Sequence, residues 1–268
     1  MSRDNDIIVH RMYGGHDIVI IPVSDTHLGS PECREEEFRR FISSVAETPN
    51  VYLTLGGDLI DNGTRGSVTN PFRATMPPHI QKREMANILF PVRDRILCLV
   101  PGNHERRSGK DADDDPLYDI ACKLDLEHLY REDLAFVKIQ LGIEKNEAGN
   151  RPGTYQRPTY VLVVSHGNGG GMLPGAAVNR GQRFGYVFEG MDLLVLGHTH
   201  VPYNIKYSKI RIDPRNNVVS EQPFKVLCAT SWLEYGGYAM RKGLNPSAFA
   251  EQTCVLSGKN KNIRITME

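Results

Sequence analysis

Cysteine is scarce in this sequence, and its few copies follow no pairing pattern. The 268 residues contain five cysteines, an odd number, and none has the Cys-x-x-Cys spacing of zinc and redox motifs. Scattered thiols of this kind are typical of reduced, packed side chains in a protein of the cytoplasm, which is the location we predict. Any metal site in this chain must therefore use nitrogen and oxygen ligands.

Long apolar runs and an excess of one charge are also lacking. No apolar run approaches the roughly 18–20 residues of a membrane span, and no signal-peptide pattern follows the polar residues 1–6. We therefore expect no membrane partner. The 32 basic and 32 acidic side chains give a formal net charge of zero, so the net charge does not indicate a nucleic-acid or membrane partner. Without repeats or linkers, the sequence predicts one domain over residues 1–268, and it leaves the oligomeric state open.

Apolar strands alternate with amphipathic helices over about residues 18–203, the region that contains the motifs described below. Short strands dominate residues 204–268. Strands are predicted at 7–10, 17–23, 51–55, 96–100, 135–141, 159–164 and 192–196, the first two as a hairpin. Four more are predicted at 203–212, 224–229, 253–256 and 263–266. Helices are predicted at 31–47, 79–90, 116–126 and 176–189, and loops at 62–78 and 106–115. This pattern favours a sheet-on-sheet core with helices outside.

Five of the apolar strands end in side chains that can bind metals. These are Asp25 and His27, Asp58 with Asp61 behind it, Asn103 and His104, His166, and finally His198 and His200. At an extended strand end, residues two apart point to the same side, so both members of an Asp-x-His or His-x-His pair can reach one pocket. Ligands from adjacent strand ends are how open sheets build sites.

Each residue also has an ordinary structural interpretation when taken alone. Asp25 and His27 could be turn and cap residues, Asn103 an Asx-turn residue, and His166 a hydrogen-bonded core histidine. Five such groups, each after an apolar run, are hard to explain in that way.

The donor types indicate which metals the site suits. Carboxylate, amide and imidazole groups without thiolate fit Mn²⁺, Fe or Zn²⁺. Seven ligands suit two ions that share a carboxylate better than they suit one. Two ions about 3.5–4 Å apart stabilise the attacking and leaving oxygens of a displacement at phosphorus, with a bridging hydroxide as nucleophile.

The order and spacing of these residues resemble the five motifs of the calcineurin-like metallophosphoesterases over about residues 18–203. The motifs are Asp25-Thr26-His27, Gly57-Asp58-Leu59-Ile60-Asp61, Gly102-Asn103-His104-Glu105, His166-Gly167 and Gly197-His198-Thr199-His200. The resemblance implies an α/β fold with two packed mixed β-sheets flanked by helices, a four-layer α-β-β-α sandwich. It also implies a dinuclear metal site at the strand ends.

The resemblance further implies a role for each motif residue. The first metal would be held by Asp25, His27 and His200, the second by Asn103, His166 and His198, and both by a bridging Asp58. His104 would contact the phosphoryl oxygen and protonate the leaving group. Asp61 would orient a ligand histidine, and Glu105 would do likewise. The cofactors would be two divalent metal ions, with Mn²⁺ favoured over Fe, Zn or Ni.

The sequence departs from the protein-phosphatase branch of this family at one position. That branch has an arginine directly after the second aspartate of the Gly-Asp motif, where this chain has Asn62. The difference argues against a phosphoserine or phosphothreonine phosphatase. The motif contexts look closer to repair nucleases and to lipid-A-precursor pyrophosphohydrolases, although neither likeness extends far beyond the motifs.

Candidate substrate contacts lie in loops after the motif strands. Arg106 and Arg107 directly follow the His104 loop and could offer forked donors to phosphate oxygens, and Arg106, Arg65 and Asn168 are the predicted substrate-binding residues. Arg73, Arg180 and Arg183 would favour a nucleotide or nucleic-acid substrate if they face the cleft. Trp232 and Tyr235 could stack a base, although core packing is the favoured interpretation.

We therefore expect a metal-dependent phosphoesterase, and more specifically a phosphodiesterase that acts on nucleic acid or nucleotides. In-line attack by a metal-bridging hydroxide would be assisted by His104 and Asp58. The alternatives are a phosphomonoesterase and a catalytically silent scaffold. The complete ligand set argues against the scaffold, which has no need to keep it.

Overall fold

Two mixed sheets form the centre of the fold in the computed structural model, which describes residues 6–13, 15–67, 70–142, 158–169 and 173–268. The strands are β1 Ile7–Tyr13, β2 Ile18–Val23, β3 Val51–Leu55, β4 Ile96–Leu99, β5 Ala135–Gly142, β6 Thr159–Val164, β7 Leu193–Leu196, β8 Tyr203–Asp213, β9 Val218–Cys228, β10 Gln252–Leu256 and β11 Ile263–Met267. The α-helices are α1 Glu35–Glu47, α2 Pro78–Leu89, α3 Glu105–Ala112, α4 Pro116–Lys123, α5 Pro174–Gly185 and α6 Gly237–Arg241.

The strand order brings the motif loops to the same edge of each sheet. One sheet has the order β1-β5-β6-β7-β9-β8 and the other β11-β10-β2-β3-β4. Strands β2, β3 and β4 are mutually parallel, as are β6 and β7. Parallel strands end at the same edge, so the loops that follow these five strands converge there. The predicted fold class, two mixed sheets flanked by helices, is confirmed.

Apolar periodicity explains how the helices cover the sheets. Helix α1 buries Phe38, Ile42 and Val45, which recur at helical spacing, and it has three glutamates in its first turn. These residues belong to a large apolar cluster that draws on both sheets. A second cluster lies beneath α5 and contains Phe224 and Val226 of β9.

The predicted hairpin between the first two strands is wrong. β1 pairs in parallel with β5, whereas β2 pairs with β10 and β3 in the other sheet. A turn signal in the sequence is local, whereas strand pairing depends on which faces of the strands can be buried together. The half-exposed β1 serves as an edge strand, while β2 lies inside its sheet.

The predicted loop at 106–115 is also wrong in its first part, because residues 105–112 form α3. The sequence of this helix has no apolar periodicity, which is the signal that a sequence-based assignment depends on. Its first turn is instead stabilised by a tertiary contact, since Asn62 Nδ2 donates to the carbonyl oxygen of His104 at 2.8 Å and to Ser108 Oγ at 2.8 Å.

The cysteines are all free thiols, and most are packed. Cys98, Cys228 and Cys254 are buried, whereas Cys122 is exposed, contrary to the prediction of packed thiols throughout. In the parts of the chain that the structure describes, no helix has the length and apolar character to cross a membrane.

Candidate metal centre

The loops after the motif strands pack so closely that glycine is required at two contacts. A Cβ atom on Gly102 would collide with Asp58 Oδ1, and one on Gly197 would collide with Ser24 Oγ. Backbone hydrogen bonds join the same loops. The amide of Asp25 donates to the Gly57 carbonyl at 3.0 Å, and the amide of His27 donates to the Asp58 carbonyl at 2.9 Å. The loops therefore hold one another in place before any ligand binds.

Most of the predicted ligands have left-handed backbone conformations. Positive φ angles occur at Asp25 (55°), His27 (47°), Asp58 (52°), His198 (69°) and His200 (55°). The expectation that the Asp-x-His and His-x-His pairs lie in extended backbone is thus wrong, although both side chains of each pair do reach the same place. Such conformations cost about 1–3 kcal/mol each in ordinary residues and concentrate at functional sites.

Asp58 lies at the centre of the cluster, and its two carboxylate oxygens face different partners. Oδ1 accepts a hydrogen bond from the backbone amide of His104 at 2.8 Å. Oδ2 lies 3.3 Å from His166 Nε2, 3.8 Å from His27 Nε2 and 3.9 Å from His104 Nε2. Oδ2 is thus the oxygen that faces the imidazole groups on both sides.

One group of potential ligands consists of Asp25, His27 and His200. Their ligand atoms all lie within 4.8 Å of one another. Asp25 Oδ2 accepts hydrogen bonds from Ser24 Oγ at 2.6 Å and from the amide of His198 at 2.8 Å, which leaves Oδ1 facing His200 Nε2 at 3.1 Å. His27 Nε2 and His200 Nε2 are 3.4 Å apart.

A second group consists of Asp58, His166 and His198, again with ligand atoms within 4.8 Å of one another. His166 Nδ1 donates to the carbonyl oxygen of Gly56 at 2.8 Å, so its Nε2 is directed into the cluster. His198 Nδ1 lies 3.2 Å from this nitrogen, and Asn103 Oδ1 lies 3.1 Å from it. The structure therefore brings all seven predicted ligands together in two groups.

The electrostatics of the cluster suit bound cations. Asp25 and Asp58 are buried, and among the described residues only histidines form ion pairs with them. Burial opposes a charge on His166, but Asp58 outweighs it and raises the pKa of His166 to about 10. Burial and the neighbouring His104 lower the pKa of His27 to about 4. Two buried carboxylates that lack lysine or arginine partners and face several imidazole nitrogens fit divalent metal ions well.

His104 lies beside the cluster, and the structure accounts for its orientation. His104 Nδ1 donates to the backbone carbonyl of Asp61 at 2.7 Å and lies 3.5 Å from Asp61 Oδ1. Burial opposes a charge on His104, but Asp58 and Asp61 outweigh it and raise its pKa. Asp61 therefore orients His104 rather than one of the ligand histidines, which differs from the predicted role.

Glu105 does not orient a histidine either. Its buried carboxylate accepts backbone hydrogen bonds from the loop that carries Asp58 and from the loop before α3. Oε2 accepts from the amides of Asp58 and Gly102, both at 2.9 Å, and Oε1 accepts from the amide of Leu59 at 2.7 Å and of Ile60 at 3.3 Å. Glu105 thus ties together two of the loops that supply ligands.

Replacing Glu105 by glutamine should weaken both the fold and the metal site. The side-chain amide would face two backbone N–H donors, and buried donors without acceptors should lower the free energy of unfolding by about 2–4 kcal/mol. Metal affinity should fall about 10- to 100-fold, the usual effect of losing a group that orients ligands. Chemical denaturation and metal titration would measure both. The exposed Glu36→Gln in α1 is the control, and equal stability of the two variants would contradict the role given to Glu105.

The cluster opens into a pocket with a volume of about 580 Å³. His27, Asp58, His104 and His198 line its inner end. Its outer wall comes from residues 233–239 and 244–248, a part of the chain that follows the motifs. Sequence reasoning found only Tyr235 in this wall, because no motif or periodicity marks the rest.

None of the three tentative substrate residues lines this pocket. Arg106 instead pairs with Asp133 at 2.9 Å on the protein surface, and Arg65 and Asn168 are exposed. The arginine that does reach the inner end is Arg107, whose Nη2 lies 2.8 Å from His104 Nε2. Trp232 is buried against Phe38, as core packing predicts.

Two sheets that present clustered aspartates and histidines at their strand ends define this protein as a metal-dependent phosphoesterase. The family model described as calcineurin-like phosphoesterase matches residues 18–202, a span that includes every residue of both ligand groups. The chain belongs to the calcineurin-like phosphoesterase family. Among curated proteins, no sequence matches it significantly.

Proposed function

We propose that the protein is a phosphodiesterase that hydrolyses nucleotides or nucleic acid with two divalent metal ions. The observation that carries this proposal is the pocket beside the metal cluster. Its volume of about 580 Å³ falls within the range of about 300–1,000 Å³ typical of small-molecule sites. A single phosphoryl group needs much less room, so the pocket has space for the organic groups on the phosphate.

The chemistry of the pocket wall suits a nucleotide. The arginines Arg73, Arg107, Arg180 and Arg241 line the pocket, and so do the aromatic rings of Tyr235 and Tyr238. Guanidinium groups bind phosphate oxygens through paired hydrogen bonds. Aromatic rings stack on bases without regard to sequence. Arg183 does not line the pocket.

The two ligand groups support two metal positions. Asp25, His27 and His200 would hold one ion, Asn103, His166 and His198 the other, and Asp58 Oδ2 would be shared. When bound, such ions neutralise the charge of the phosphoryl group and activate water for attack. The nitrogen and oxygen donors favour Mn²⁺, with Fe, Zn or Ni as alternatives. We keep the cytoplasm as the proposed location, because the cysteines are free thiols.

The side chains of the protein then serve positioning and proton transfer. Asp61 holds the imidazole of His104 through Nδ1, so that Nε2 is directed into the pocket. In its protonated form, His104 donates the Nε2 proton to the leaving oxygen as the P–O bond breaks, and the product departs as a neutral alcohol. Asp58 Oδ1 fixes the backbone of His104 at the same time.

A substrate panel with the Mn²⁺-loaded protein tests this proposal. It should contain an aryl phosphodiester, cyclic nucleotides, single- and double-stranded DNA, RNA, an aryl phosphomonoester and phosphopeptides. We expect hydrolysis of the diesters, faster turnover of those that carry nucleosides, and complete loss of activity with a chelator. Faster turnover of monoesters would favour a phosphomonoesterase. No hydrolysis of any ester by the metal-loaded protein would favour the silent scaffold.

Replacing Tyr235 by leucine should selectively weaken nucleotide substrates. Base–aromatic stacking contributes about 1–3 kcal/mol, so KM for a nucleotide diester should rise about 5- to 100-fold. The small aryl diester should be nearly unaffected, and Tyr235→Phe should preserve the stacking. Steady-state kinetics on both substrates measure the difference. Tyr13→Leu, in the edge strand β1, is the control. Equal effects of Tyr235→Leu on both substrates would contradict a base-binding role.

A further inference from the structure

We infer that Arg107 binds the phosphoryl group of the substrate and that it leaves His104 when it does so. This inference rests on the proposed function and gives that function a specific substrate contact.

The guanidinium group of Arg107 contacts His104, and both residues line the pocket. Its Nη2 is 2.8 Å from His104 Nε2, and its Nη1 is 3.4 Å from both the Asp61 carbonyl oxygen and Ser67 Oγ. The two contacts of Nη1 are long for hydrogen bonds and therefore weak. In the described part of the chain, no carboxylate forms an ion pair with this guanidinium. An anion in the pocket would thus meet an arginine without a direct ion pair among the described residues, although the Asp61 carboxylate is near enough to interact with its charge.

The direction of each hydrogen bond at His104 follows from its partners. The carbonyl of Asp61 can only accept, so Nδ1 must carry the hydrogen in that contact. A guanidinium group can only donate, so Nε2 accepts from Arg107. Nε2 is therefore already engaged and cannot contact a substrate oxygen in this arrangement. Movement of Arg107 to a phosphoryl oxygen would free Nε2 to take up from water the proton that His104 later gives to the leaving oxygen.

Two other polar side chains near His104 that could bind a phosphoryl group already make other contacts. Arg106, on the same helix, pairs with Asp133 and donates to the backbone carbonyl of Glu132, outside the pocket. Asn62 is buried, with its side-chain amide directed at the first turn of α3. Among the described residues, Arg107 is thus the pocket-lining arginine that contacts His104.

The exchange of partners is chemically favourable. A phosphoryl oxygen is a charged acceptor, and its bonds to a guanidinium are shorter and roughly twice as strong as neutral ones. The forked geometry lets one arginine hold two oxygens at once. In exchange, Arg107 would lose its hydrogen bond to the neutral Nε2 of His104 and the two weak contacts of its Nη1. Binding of the substrate would therefore remove Arg107 from Nε2.

Binding of inorganic phosphate to the Mn²⁺-loaded protein tests the inference without requiring turnover. Calorimetry should show affinity about 10- to 100-fold lower for Arg107→Ala, the usual effect of losing hydrogen bonds to a charged group. Arg107→Lys should be intermediate, because it retains the charge but not the fork. Arg106→Ala, which removes the matched surface arginine, should bind phosphate like the wild type. Metal content and melting temperature should be the same in all four proteins.

Two results would overturn the inference. The first is wild-type phosphate affinity in Arg107→Ala with a reduced kcat, because Arg107 would then only position His104. The second is an equal loss of phosphate affinity in Arg106→Ala, which would indicate a general effect of charge. If Arg107→Ala proves unstable, Arg107→Gln replaces it in the same comparison. If phosphate binding depends on Arg107 but no ester is hydrolysed, the proposed function fails while the phosphate contact stands.

Discussion

Replacing Asp58 by asparagine is expected to lower metal affinity at both positions and to reduce kcat about 10³-fold or more, as loss of a buried charged partner implies. The asparagine oxygen would take the place of Oδ1 and accept from the amide of His104. Its NH₂ group would then occupy the position of Oδ2, where it would face His166 and His27 with a donor. That group would repel cations. Elemental analysis of the purified variant and kcat on an aryl diester would measure the two effects.

Asp25→Asn is the matched comparison for this result. Asp25 also has one oxygen held by a backbone amide, that of His198, and one oxygen that faces an imidazole, that of His200. Its substitution should empty only the position shared with His27 and His200. If Asp58→Asn also loses a single ion and keeps the other at wild-type affinity, Asp58 is not the shared ligand.

Replacing His104 by glutamine should lower kcat about 10²- to 10⁴-fold while both metal ions remain bound, because general acid catalysis contributes about that much. Glutamine preserves much of the volume but cannot transfer a proton. The effect should depend on the leaving group. A nucleoside or alkyl alcohol needs a proton when it departs, so its hydrolysis should show the full loss, whereas a nitrophenyl group needs little help.

The comparison of leaving groups shows whether His104 donates a proton or only contributes to the shape of the pocket. Kinetics on a nitrophenyl diester and on an alkyl diester, with metal content measured in parallel, would give the answer. An equal loss for both substrates would argue against proton donation. Loss of metal from His104→Gln would make His104 a ligand. Asp61→Asn should reproduce only a small part of the effect, because it removes the carboxylate charge 3.5 Å from Nδ1 but leaves the hydrogen bond to the Asp61 backbone carbonyl in place.

The sequence predicted the fold class and the ligand set because both depend on local signals. Five strands are predominantly apolar runs, and each of these runs is followed within about three residues by a side chain that can bind metal. The strands β2, β3, β4, β6 and β7 all lie where these runs occur. The two-metal assignment of particular residues remains a prediction, which the geometry of the two groups supports.

Other features could not be predicted, because they depend on contacts between distant residues. Helix α3 has no apolar stripe, and its first turn is held by hydrogen bonds that Asn62 donates from another loop. The pairing of β1 with β5 joins segments more than 100 residues apart. Whether a basic residue of α3 faces the pocket depends on where that helix begins. A shift of one residue separates Arg107, beside His104, from Arg106, beside Asp133.

The sequence by itself determined the donor chemistry of this protein: carboxylates, imidazoles and an amide at the ends of buried strands, without thiolates. Only the tertiary structure decided which atom of each donor faces which partner. It directs one oxygen of Asp58 to the backbone and the other to the imidazole groups on both sides. It also places the backbone carbonyl of Asp61 against His104 and lines the pocket with residues 233–239 and 244–248. The physical reason is that residue type sets what a side chain can bind, whereas packing between distant loops sets which atom faces which partner.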